Sequence, residues 1–120
     1  MGVRKYPGET ITVTATVEYR GAAGAFAFEF ALTAKGSTVV ANGRQTFTTP
    51  LSASWVSKSV AATVVTPNSP TGDYVLHAAI WATDASGKSI GSKEILYVGY
   101  DAAVTIINAT EFQKFGASVG

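Results

Sequence analysis

Apolar and polar residues alternate with a period of two through most of this chain, and that period constrains the fold more than any other feature. In "TITVTATVEYR", Ile11, Val13, Ala15, Val17 and Tyr19 fall on one side, with Thr12, Thr14, Thr16 and Glu18 on the other. This is the pattern of a half-buried strand. In "AFAFEFAL", Phe26, Phe28, Phe30 and Leu32 share one face. A helix would scatter these side chains round its barrel, whereas a strand lines them up. "TVVA" and "RQTFTT" read as two short strands joined through Asn42-Gly43, a strong hairpin signal. "SASWVSKSVAATVV" places Val56, Val60, Ala62 and Val64 on one parity. "SIGSKEILYVGY" is a further strand, and "AVTII" one more after it. The total is seven or eight short strands, with connections short enough for antiparallel neighbours. That predicts an all-β antiparallel β-sandwich, with a jelly roll or small barrel as the alternative.

At 120 residues the chain is one domain, with a sandwich over 6–107 and a tail over 108–120. It has no cysteine, which removes disulfides, thiolate metal sites and thiol nucleophiles. The formal charge is +1 and only 14% of residues are charged, too weak a field to hold nucleic acid or an anionic membrane. The first residues, "MGVRKYPGET", lack the apolar run of a signal peptide. No stretch approaches the ~20 apolar residues of a membrane span. The expectation is either a complete protein folded in the cytoplasm or a domain of a longer secreted one.

The stretch "TGDYVLHAAIWATDASGKSIG" reads as a hairpin turning at "DASG", yet both faces of its first strand are apolar. Tyr74, Leu76, Ala78, Ile80 and Ala82 lie on one face, and Val75, His77, Ala79 and Trp81 on the other. The run Gly72-x-Tyr74-x-Leu76 resembles strand F of immunoglobulin-like domains. In those domains a Tyr near the strand start makes a tyrosine corner and a Cys stands two residues on, where this chain has Leu76. Together with "PGETITVTATVEYRG", it is similar to the bacterial and archaeal immunoglobulin-like modules of cell-surface and virion proteins. No Trp stands on the third strand as in antibody domains, Trp55 coming later. The resemblance implies an immunoglobulin-like sandwich with Tyr74, Leu76, Ile80 and Ala82 pointing inward. Trp81, His77 and Val75 would then form an outer patch, flanked by Leu96 or Tyr97, that needs a cover: another protein, a sugar or the chain's own tail.

In the tail "ATEFQKFGASVG", Thr110 and Gln113 make a capping-box pattern. Phe112 and Phe115 lie three apart and Gly116 suits a helix end. A short helical turn is expected, held by its two Phe rings either on its own sandwich or, the favoured reading, on a neighbouring subunit, with a frayed tail as the alternative.

Chemistry is hard to build from these residues. His77 is the single histidine, with no carboxylate at ligand spacing, although Glu94 could pair with it across the hairpin. Asp73, Asp84 and Asp101 lie near loops and read as turn residues in preference to a weak calcium site. No nucleophile elbow, phosphate loop or aromatic-basic stripe is present. Asn108-Ala109-Thr110 is a formal glycosylation sequon of little weight. The expectation is therefore no enzyme, no cofactor and no metal. The favoured function is a structural or assembly protein, such as a capsid decoration protein on a virion, bound to a protein partner or to its own copies. The alternative is an extracellular or cell-surface recognition module for adhesion or carbohydrate, with Trp55 and Trp81 to stack on sugar rings.

Overall fold

The computed structural model describes residues 2–34, 38–109, 111, 113 and 116–119. Seven strands follow one another: β1 (Val3–Lys5), β2 (Thr10–Gly21), β3 (Gly24–Thr33), β4 (Val39–Thr49), β5 (Ser52–Val65), β6 (Gly72–Ala82) and β7 (Leu96–Ile106). They form a five-stranded sheet in the order β1-β7-β6-β3-β4 and a two-stranded sheet of β2 and β5. The result is an all-β, sandwich-like body that curls into an open half-barrel.

Register explains how the alternation is used. In the small sheet Ile11 faces Val64, Val13 faces Ala62 and Ala15 faces Val60, so both apolar rows share one side. The threonines of β2 fall on the opposite, exposed side. In the large sheet, Phe28 lies between Gln45 and Ile80, and Leu32 between Ala41 and Leu76. The apolar sides meet in two clusters. One gathers Phe28, Phe30, Val60, Ala62 and Ile80. The other gathers Ile11, Leu32, Ala41, Tyr74, Val104 and Ile106. The expected inward residues of β6 do point there: Tyr74 and Ile80 are buried, and Leu76 and Ala82 are half-buried.

Several details differ from the sequence reading. Not every neighbour is antiparallel, because β1 pairs in parallel with Val104–Ile106 of β7. Asn42-Gly43 is no hairpin but the middle of the continuous strand β4. Gly43 stands opposite Phe30, and a Cβ there would collide with the Phe30 ring. The glycine makes room for an aromatic and does not turn the chain. Of "SIGSKEILYVGY", only Leu96 onward is strand. "AVTII" is not a separate strand but the second half of β7. The two halves are joined where Asp101–Ala103 bulge opposite Val75, with Ala102 in the left-handed region at φ 51°. In the tail, Thr110, Phe112 and Phe115 lie outside the described residues. Glu111, Gln113 and residues 116–119 adopt neither helix nor strand.

Candidate functional site

Strand β4 passes into β5 across Pro50 and Leu51, so the small sheet begins over the β4 side of the large one, where β5 packs on β4 and β3. Two strands cannot cover five. The inner face of β7 is left without a lid. Leu96, Val98 and Tyr100 pair with Ile80, Ala78 and Leu76, and so point to the core side of the sheet. They remain 55%, 43% and 52% exposed.

The uncovered face is one wall of a groove of about 380 Å³. Leu76, Ala78 and Ile80 form its floor, with Phe28 behind, and Val13, Ala15 and Val17 of β2 form the facing wall. Thr14 and Thr16 also line it, and among the described residues no charged one does. Its two rims are free strand edges. Among the described residues β2 has one ladder partner, β5. β7 has β6 along its length and meets β1 only over Val104–Ile106, leaving 96–101 open on the far side. Rows of backbone N–H and C=O groups therefore flank an apolar trough, which is the chemistry of a site for an added strand.

The patch expected from sequence lies on the other side of the same sheet. Val75, His77 and Trp81 are half-buried on the outer face of β6. Trp81 stands opposite Ala27, which is fully buried. His77 does not pair with Glu94. Its Nε2 is 2.9 Å from the Thr33 hydroxyl, and its Nδ1 is hydrogen-bonded with the Tyr97 hydroxyl under stacked rings. His77, Tyr97 and Trp81, with Ala79 and Glu94, rim a shallow recess of about 260 Å³. Arg44 partly closes that face, binding Glu29 at 2.6 Å and the Gly87 carbonyl at 2.7 Å. Of the two expected flanks, Tyr97 lies on this face beside His77 and Leu96 on the opposite one. Phe112 and Phe115, the remaining expected contact residues, lie outside the described residues.

Trp55 is 62% exposed on the far layer, where the Arg20 guanidinium sits 4.7 Å from its ring centre. It lies on β5 of the small sheet, whereas Trp81 lies on β6 of the large one. Asn108 is occupied as well. Its side-chain amide donates to Asn68 Oδ1 and the Ser69 carbonyl, and its backbone N–H to Thr71. The sequon asparagine thus fastens the end of β7.

Among the described residues no group of three or more His, Asp or Glu could hold a metal ion. Asp73 and Asp84 lie at opposite ends of β6. Asp73 accepts from the Thr105 hydroxyl. The Ser86 hydroxyl, with the backbone N–H of Lys88, holds the Asp84 carboxyl below the usual carboxylate range. No helix among the described residues is long and apolar enough to cross a membrane.

The groove was not found by sequence reasoning. Alternation in "EILYVGY" shows a strand with Leu96, Val98 and Tyr100 on one side. That nothing covers them follows from sheet order, which alternation does not carry. No protein-family model matches the chain, and no curated protein matches it.

Proposed function

We propose that this chain is a non-catalytic structural module, an immunoglobulin-like half-sandwich that assembles with its own copies through the open groove. The carrying observation is the exposure of Leu96, Val98 and Tyr100 on the core side of their sheet. Side chains of this size stabilise a contact by about 1.5–3 kcal/mol each when fully buried, so an occupant of the groove has a large gain available. Contiguous apolar surface of this kind marks an interaction site. The immunoglobulin-like assignment rests on the Tyr74 hydroxyl, which bonds to the Pro70 carbonyl as a tyrosine corner does. A weakly charged, Ser/Thr-rich surface and self-assembly fit a protein that coats a particle, so a virion decoration or accessory role is the setting we favour.

Sedimentation equilibrium tests the reading. The mass of the parent chain should rise above 12.4 kDa with concentration. Val98→Lys places a charge in the groove and should raise the dissociation constant at least tenfold while leaving the melting curve in place. A parent chain that stays monomeric at every concentration defeats the proposal.

A further inference from the structure

The open groove specifies more than an apolar partner. Both of its rims are free strand edges, so its occupant must be an extended backbone that can hydrogen-bond to β2 on one side and β7 on the other. Its inner walls are apolar and uncharged, so that backbone must carry apolar side chains at every second residue and no charge. The β7 edge already accepts one added strand, since β1 pairs along Val104–Ile106 and stops there. The length left open, Leu96–Tyr100, presents three inward side chains over five residues.

One stretch of this chain matches that template in its sequence. Residues 115–119 read Phe-Gly-Ala-Ser-Val, with Phe115, Ala117 and Val119 on one parity, Gly116 and Ser118 on the other, and no charge. Val119 is fully exposed, and residues 116–119 belong to no strand. The segment leaves the body at the end of β7 that lies away from the groove. Asn108 is pinned to Asn68, Ser69 and Thr71 beside the start of β6, and β7 runs from the groove toward that point. Glu111 lies beside Tyr6, past the end of β1, and holds the Tyr6 hydroxyl above the ordinary tyrosine range. From Asn108 to residue 115 the chain can span ~23–25 Å, long enough for a neighbour's groove and for the return along β7 to its own, two cases that the truncation below separates.

We infer that residues 115–119 of one copy insert as a strand between β2 and β7 of the next copy, completing its half-sandwich. The inference rests on the self-assembly reading above and names its occupant. The arrangement is head-to-tail: each copy gives a segment and receives one. Such contacts build rings when the rotation closes and open chains of subunits when it does not.

The test mixes two broken partners. A chain lacking residues 109–120 has a free groove and nothing to donate. Full-length Val98→Lys has a segment to donate and a blocked groove; Tyr100→Lys replaces it if Val98→Lys does not fold. Each alone should be monomeric by light scattering, and together they should give a one-to-one dimer and nothing larger. The parent chain should grow beyond dimers. Unchanged assembly of the truncated chain would overturn the inference while leaving groove-mediated assembly standing. Truncation that lowers the melting point of a monomer would overturn it in favour of fold-back onto the same copy. A monomeric parent chain would remove both readings.

Discussion

The Tyr74 hydroxyl donates a 2.6 Å hydrogen bond to the carbonyl of Pro70, four residues back along the chain. Its ring is buried in the cluster with Leu32, Val104 and Ile106. One side chain thus ties the loop before β6 to the core that β6 and β7 share. Tyr74→Phe keeps the ring and removes the bond. Denaturant unfolding should show a loss of about 0.5–1.5 kcal/mol with an unchanged slope. No loss at all would mean that the Pro70 carbonyl is equally well satisfied by water.

Burial separates the two kinds of apolar residue in this molecule. Phe28 is enclosed between the sheets, and Phe28→Ala should cost ~3–5 kcal/mol. Tyr100 sits on the same side of the sheet but in the open groove, and in the monomer Tyr100→Ala should stay within about 0.5 kcal/mol of the parent. Equal costs for the two would mean that the groove is filled in the isolated chain.

Asp84 organises the turn after β6 by accepting from the Ser86 hydroxyl, the Ser86 N–H and the Lys88 N–H. These bonds favour the ionised form and lower its pKa in the folded state. The stabilisation is therefore present above the ordinary carboxylate range and lost as pH falls through the depressed folded value. Amide exchange at Ser86 and Lys88, corrected for intrinsic rates, should accelerate at the acid end in the parent. In Asp84→Asn it should show no such step.

Gly43 carries no turn, so its role is spatial. Gly43→Ala should cost ~1–3 kcal/mol, because the new methyl meets the Phe30 ring and the backbone of Thr63. A neutral effect would show that the ring can move aside.

Gly43 also marks where the sequence stopped being legible. Period-two runs placed Phe28, Phe30, Ile11 and Val60 inside, because each strand reports its own two faces; β6 is apolar on both, and there the resemblance to immunoglobulin strand F placed Trp81 outside. They do not report which strand lies beside which. The parallel docking of β1 and the continuity of β7 through Ala102 are tertiary outcomes, with only "VRK" and a bulge of ordinary residues behind them. Asn-Gly is a turn signal only where the backbone needs a positive φ, and at Gly43 the backbone is not left-handed. The candidate site was hidden for the same reason. Leu96, Val98 and Tyr100 look like core residues, and they are on the core side. The missing strand opposite them is visible only when β2 and β7 are seen to stand apart.

Amide hydrogen exchange along the two rims tests the central claim most directly. The N–H groups of residues 96–101 that face away from β6, and those of Val13–Val17 that face away from β5, have no ladder partner among the described residues. If the groove takes a strand from a second copy, these amides should exchange slowly in concentrated protein and speed up by an order of magnitude or more on dilution, while those of β3 stay protected throughout. Rates at both rims that are fast and independent of concentration would contradict the account.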